Sequence, residues 1–190
     1  VNSDIVGKVV NLASRTASFI TKRFDGKLSA SPFNAEILEK ASSIKEDVIK
    51  AYSSRNYAEA IRIIMGLADE ANRYIDAKAP WVLAKEEGKE AELQAVCSDG
   101  INLFKALITY LQPVLPNVAK DASEFLNDNL EFDKAGVPLC NHQINKFKPL
   151  FARIERTAID KMIETSKEDL KQAQAQATPA KAQESASSEY

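Results

Sequence analysis

Trp81, the only tryptophan, follows Pro80 directly at the end of an apolar-periodic stretch, in the string Asp76-Ala77-Lys78-Ala79-Pro80-Trp81. A broad π-surface placed where a proline stops a helix has two uses. It plugs the core, or it stays at a rim where a flat ligand such as a nucleobase stacks on it. A second set of residues is spaced for polar recognition. At about 100° per residue, Lys8, Asn11, Arg15, Ser18 and Lys22 share a strip of roughly 80° on one side of a helix. Asn11 and Arg15 adjoin on that strip. An amide with donors and an acceptor, beside a planar guanidinium, suits the Watson–Crick edges of unpaired bases, and Lys8 and Lys22 suit flanking phosphates. The same strip also reads as the solvated face of an ordinary amphipathic helix. Neither Trp81 nor the strip decides the matter by spacing alone.

Other chemistry is thin. His142 is the sole histidine and Cys140 lies two before it, too few ligands for a zinc site. His142 reads instead as a loop residue making local hydrogen bonds. Asp69-Glu70 and Glu86-Glu87 read as surface charge, no nucleophile–base set can be assembled, and phosphate-cradling glycine loops are missing. Cys97 and Cys140 form no CxxC pair and are expected as free, buried thiols. The aromatic-basic cluster Lys146-Phe147-Lys148-Pro149-Leu150-Phe151 is expected to dock the last helix.

Helical periodicity supplies the elements that must hold these side chains. The first helix spans 4–23, with Ile5, Val9, Leu12, Thr16 and Phe19 as its apolar stripe and Val6, Val10, Ala13, Ala17 and Ile20 widening it. A second spans 34–52. Asn56 then caps a third, to residue 77, with Glu59 three residues on as in a capping box. The fourth runs from after Gly88 to Gln112, ended by Pro113, with Leu93, Val96, Cys97, Ile101, Phe104, Leu107, Ile108 and Leu111 facing the core. A fifth covers 115–126, an irregular connection 127–149, and a last helix 150–171, packed through Ile154, Ala158, Met162 and Ile163. From Gln172 the chain is Ala, Gln, Ser, Lys and Glu, the composition of a disordered linker. The division is thus a helical domain at 1–171 and a linker at 172–190.

With 190 residues, 45% of them hydrophobic, and only six glycines, the composition favours one all-α domain. A net charge of −2 excludes a uniformly basic nucleic-acid binder but leaves room for a local basic patch. No apolar run is long enough for a membrane span, and the first residues do not read as a charged region followed by an apolar stretch and a small-residue cleavage site. The chain starts with Val inside an apolar-periodic element, which reads as a piece of something longer.

Longer strings go further. Asp4-Ile5-Val6-Gly7-Lys8-Val9-Val10-Asn11-Leu12-Ala13-Ser14-Arg15 closely resembles the opening helix of the anticodon-binding domain of bacterial methionyl-tRNA synthetases. Ala68-Asp69-Glu70-Ala71-Asn72-Arg73-Tyr74-Ile75 with Ala79-Pro80-Trp81-Val82 resembles that family's second hallmark. Ile101-Asn102-Leu103-Phe104 through Tyr110-Leu111-Gln112-Pro113-Val114-Leu115-Pro116 is similar as well. The resemblance covers 1–171 and is weakest at 27–55.

It implies an α-helix bundle of the class I aminoacyl-tRNA synthetase anticodon-binding type, receiving the CAU anticodon loop of initiator and elongator methionine tRNA. By the same resemblance, the first anticodon base stacks on Trp81 beside Pro80, and Asn11 and Arg15 read base edges. The parent would be a cytoplasmic ligase using ATP and Mg, with Zn in its catalytic domain. That domain's nucleotide-binding signatures and cysteine-rich insertions are absent from these residues, so this piece should be inactive alone, without cofactor or metal. A C-terminal tRNA-binding dimerisation module would follow the linker; neither a membrane nor DNA is expected as a partner. The competing expectation is a helical protein–protein scaffold with Trp81 buried.

Overall fold

In the computed structural model the described residues are 2–150 and 156–177, and among them the architecture is helical throughout, without a strand. In chain order the elements are α1 (Asn11–Arg23), α2 (Ala35–Ser43), α3 (Lys45–Ser53), α4 (Tyr57–Lys78), α5 (Pro80–Leu83), α6 (Glu90–Leu111), α7 (Pro116–Leu126) and α8 (Arg156–Ala177). A π-helical stretch, Asn2–Val10, leads into α1. Two compact units result, Val1–Ala152 and Arg153–Tyr190, the second described by α8 alone.

The first unit is built around α6. From Val96 to Leu111 every residue of this helix is buried, so it is the axis of the bundle and not one of its surface helices. The expected core positions Leu93, Val96, Cys97, Ile101, Phe104, Leu107, Ile108 and Leu111 are all buried. Each such large side chain contributes about 1.5–3 kcal/mol on leaving water. A helix buried all round must also satisfy its polar side chains, and α6 does so by fastening irregular segments and the end of α2 to itself. Ser98 accepts from the Ser29 N–H at 2.9 Å, and Asn102 and Leu139 exchange hydrogen bonds of 2.7 and 3.4 Å. Lys105 donates to the carbonyls of Lys134 and Val137 at 2.8 and 2.9 Å, and the Tyr110 hydroxyl donates to the Ala41 carbonyl at 2.8 Å. Burial pushes the Lys105 ammonium below the usual lysine range.

Two glycines are fixed by close approach. A Cβ on Gly100 would sit 2.6 Å from Thr16 Cγ2, so its absence lets α1 lie against α6. Gly26, with φ +79°, ends the turn after α1, where a Cβ would meet Gln143 Nε2 at 2.5 Å. Here the connection after α7 runs back along 26–29, with bonds from Leu28 N–H to His142 O (2.9 Å), Asn141 N–H to Ser29 O (2.8 Å) and Ile144 N–H to Gly26 O (2.9 Å).

Several boundaries depart from the periodicity. The helix expected at 4–23 is π-helical over its first half, and the Asn72 amide ties that half to α4 by donating to the Lys8 carbonyl at 3.2 Å. The helix expected at 34–52 is two, divided at Ile44. A physical reason is visible. The Ala41 carbonyl, which an unbroken helix would offer to the Lys45 N–H, is taken by the Tyr110 hydroxyl, and Gly136 presses on Ser42. Pro80 starts the additional one-turn helix α5 instead of ending the helical chain. Leu150, the expected start of the last helix, is not helical, and that helix is described over Arg156–Ala177, past the expected stop at 171; residues 151–155, Ile154 among them, lie outside the described residues. Cys140 is exposed, not buried; Cys97 is buried, and both are free. Phe147 packs edge-on against Phe125 of α7, their centroids 5.1 Å apart, while Phe151 lies outside the described residues.

Candidate nucleic-acid interface

The polar strip of α1 and the end of α4 meet. Thr16, Ala17, Ala13, Leu12 and Ile20 are buried on one side of α1, leaving Asn11 and Arg15 partly exposed on the other. The Arg15 guanidinium carbon lies 4.6 Å from the centroid of the Trp81 ring. Its Nη2 also donates to Asp76 Oδ1 at 2.5 Å. The guanidinium is therefore held by an indole and a carboxylate together, each contact of the order of 0.5–1 kcal/mol at a solvated site. Asn11, one turn before Arg15, is partly exposed, and its side chain makes no hydrogen bond among the described residues.

Trp81 owes its position to the way α4 ends. Ala79 adopts the left-handed conformation, φ 43° and ψ 62°, and its N–H closes the last turn on the Ile75 carbonyl at 2.9 Å. Pro80 follows as the first residue of α5, where its missing N–H costs nothing, and is buried. The ring after it is thrown outward: Trp81 is 38% exposed. It sits at the rim, and the alternative in which it plugs the core is not what the fold adopts.

Lys8 is less available than its place on the strip suggested. Its ammonium pairs with Asp69 at 2.7 Å and Asp4 at 3.5 Å, and the bond to Asp69 holds it above the usual lysine range. Lys22 is exposed in the last turn of α1. Asp69 and Glu70 are thus paired charges rather than plain solvated ones, since Glu70 meets Lys40 at 2.5 Å.

Beside this constellation lie residues that periodicity did not single out. Asp76 is one. An acid in the last turn of a helix opposes the macrodipole, and that misplacement is a signal that it answers a cation elsewhere. Asp99 is another. Its buried carboxylate accepts from Phe33 N–H at 3.1 Å, Asn34 N–H at 2.9 Å and the Tyr74 hydroxyl at 2.7 Å. Burial raises the Asp99 carboxyl above its ordinary range against the pull of these bonds, and burial with the carboxylate alongside pushes the Tyr74 hydroxyl up. Lys78 lies over the Phe33 ring, 4.5 Å from its centroid.

His142 Nε2 lies 2.7 Å from the Leu126 carbonyl, a tertiary contact to the end of α7 rather than the local bond expected. Among the described residues no three His, Cys, Asp or Glu side chains converge on a metal-holding position. No described helix is long and apolar enough to cross a membrane. Chemically the arrangement offers an exposed aromatic face, an oriented guanidinium edge and a partly exposed amide: equipment for binding a flat, hydrogen-bonding ligand.

Residues 34–184 match the family described as the anticodon-binding domain of tRNA ligase. Pro80 and Trp81 fall inside that range, whereas α1 with Asn11 and Arg15 precedes it. Among solved structures, the chain is similar to apo Mycobacterium tuberculosis methionyl-tRNA synthetase, with a TM-score of 0.75 and 24% identity over 81% of this chain and 33% of that one. It is also similar to the same enzyme bound by methionyl-adenylate, with TM-scores of 0.73 and 0.68, 24% and 22% identity, and coverage of 80% of this chain and 32% of each of those. The chain spans about a third of the length of those structures, and the likeness is one of fold.

Proposed function

The chain belongs to the family of anticodon-binding domains of tRNA ligases, and on that premise we propose that it reads the CAU anticodon of methionine tRNA for a cytoplasmic methionyl-tRNA ligase. The observation that carries the reading is the meeting of Arg15 with Trp81 beside the partly exposed Asn11. In the proposed mechanism the anticodon loop opens and its first base stacks on the part of the indole that Arg15 leaves exposed. Asn11 and the guanidinium edge of Arg15 then test the base edges. Stacking contributes about 1–3 kcal/mol and tolerates any base, so the hydrogen bonds must supply the choice. Lys22 meets a neighbouring phosphate, and Lys8 does so on exchanging Asp69 for the RNA. Methionine, ATP, Mg and Zn belong to the parent's catalytic domain, which activates the amino acid in cis, and no step of that chemistry falls to the described residues.

The experiment is the affinity of the chain for an anticodon stem-loop carrying CAU and for one with a changed first base, each repeated with Trp81→Ala. The expected result is a preference for CAU that collapses in the variant. Equal, salt-sensitive binding to both loops, unaltered by the substitution, would leave only weak phosphate attraction and withdraw the site. Acrylamide quenching of the single tryptophan separates the scaffold alternative: a stacking Trp81 is accessible in the free chain and becomes covered by RNA.

A further inference from the structure

Phe33 has no part in the reading above, although the fold prepares it with care. Its ring is 40% exposed, whereas Phe104 and Phe125 are buried. A single exposed phenylalanine is commonplace, and alone it would carry nothing. What distinguishes this one is its surroundings. The backbone that presents it is pinned: the N–H groups of Phe33 and Asn34 both donate to the buried Asp99 carboxylate, which Tyr74 holds from the other side. The Asn34 side chain caps α2, accepting from the Glu36 and Ile37 N–H groups, so the segment is fixed on both flanks. Over the ring lies the Lys78 ammonium, 4.5 Å from its centroid.

Lys78 is also three residues before Trp81. Successive Cα atoms are about 3.8 Å apart, so the backbones carrying the two sites are within about 11 Å. Asp76 and Lys78, two apart, face different flanks of α4's last turn. One flank carries Arg15 on Trp81 and the other Lys78 on Phe33. A cation and an aromatic ring at one point make the combination that binds a nucleotide without regard to sequence, the ring for the base and the ammonium for the phosphate. Preorganisation by Asp99 lowers the cost of using it.

We propose that Phe33, with Lys78, is a second stacking platform, taking another unpaired nucleotide of the same RNA loop whose first anticodon base lies on Trp81. This rests on the anticodon-reading proposal. The two sites divide the work: Trp81 with Asn11 and Arg15 chooses the base, and Phe33 with Lys78 holds the splayed strand in either case.

The test uses the full 190-residue chain, the CAU stem-loop, and Phe33→Leu, Phe33→Tyr, Lys78→Gln and Trp81→Ala, with helical circular dichroism of each variant beforehand. Phe33→Leu is expected to weaken binding about fivefold or more, for the CAU loop and the changed loop alike, while Trp81 fluorescence is quenched as in the parent at saturation. Phe33→Tyr, which keeps the π-face, retains affinity. Lys78→Gln lowers the slope of log affinity against log salt by about 0.7, the worth of one single-strand phosphate. Should Phe33→Leu lose helicity, the salt slope of Lys78→Gln decides, and an unchanged slope overturns the platform. Wild-type affinity in a folded Phe33→Leu, with Trp81→Ala impaired, overturns the platform and leaves the anticodon reading standing. Wild-type affinity in both overturns the two together.

Discussion

Arg15 of α1 and Trp81 of α5 meet face to cation, the guanidinium carbon 4.6 Å from the ring centroid, and Asp76 fixes the same guanidinium from the end of α4. The contact joins an element before the first loop to one that begins after the left-handed turn at Ala79. Each half of the site thereby orients the other. An arginine held by both an indole and a carboxylate presents a defined donor edge instead of sampling its many rotamers, and a defined edge discriminates between bases better than a mobile one.

Removing Asp76 tests that relationship. In Asp76→Asn the guanidinium keeps the indole but loses its charged partner, so its edge is held less firmly. The preference for CAU over a loop with a changed first base is expected to fall by about fivefold, the low end of the roughly 1–3 kcal/mol that one base-edge contact spans. Stem-loop titrations against both RNAs measure it. Undiminished discrimination would mean that Asp76 merely neutralises Arg15.

Ala79 is the hinge on which the position of Trp81 depends, and alanine is an unusual residue for φ 43°. The left-handed region costs an L-residue about 1–2 kcal/mol, and more if it is β-branched. Ala79→Gly is therefore expected to be neutral or stabilising by up to about 1 kcal/mol, and Ala79→Val destabilising by about 1–2 kcal/mol. Urea unfolding followed by both far-ultraviolet dichroism and Trp81 fluorescence distinguishes a global effect from local displacement of the ring. Equal midpoints for the two variants would contradict the strain at this residue.

How much of this was legible beforehand follows from the range of the interactions. Caps are local, and the Asn56 side chain does accept from the Glu59 N–H at 3.2 Å, where the sequence pattern placed it. The stripe of α1 and the core face of α6 follow from apolar periodicity, which burial enforces directly. Lys105 shows the limit. A cation amid an apolar helix gives no notice of the carbonyls of Lys134 and Val137 that satisfy it, because they arrive from a separate irregular segment. The division at Ile44 was hidden for the same reason, since it depends on Tyr110 and Gly136, far along the chain. The sequence offered Asn11, Arg15, Pro80 and Trp81 as candidates, but not the stacking of Arg15 on Trp81, because no local pattern records which helix end α1 meets.

The approach of α1 to α6, on which the α1 strip depends, is tested at Gly100. An added methyl would lie 2.6 Å from Thr16 Cγ2 and 3.2 Å from Ile75 Cδ1, in a packed interior that has little room to yield. Gly100→Ala is expected to cost about 1–3 kcal/mol. Thr16→Ser deletes the opposing methyl yet keeps the hydroxyl that donates to the Leu12 carbonyl at 2.9 Å, so the double variant should recover part of the loss. Additive destabilisation in the cycle would place the strain elsewhere.

The two cysteines separate by burial, with a consequence for alkaline stability. Cys140 is exposed and should react with a thiol reagent in the folded chain, whereas Cys97 should react only on unfolding. Burial pushes the Cys97 thiol up to about 12 from its ordinary 9.0. Because the folded value is the higher one, stability is intact below pH 9 and declines as pH rises from there towards 12, by up to about 1.4 kcal/mol per unit, as the unfolded chain ionises first. The raised hydroxyls of Tyr74 and Tyr110 add to the decline with the same sign. Cys97→Ala removes one contributor: it should be less stable at pH 8, through the space it opens, yet lose stability more slowly between pH 9 and 10.5 than the parent chain. Parallel curves in urea titrations across that range would refute the assignment of the alkaline slope to the Cys97 thiol.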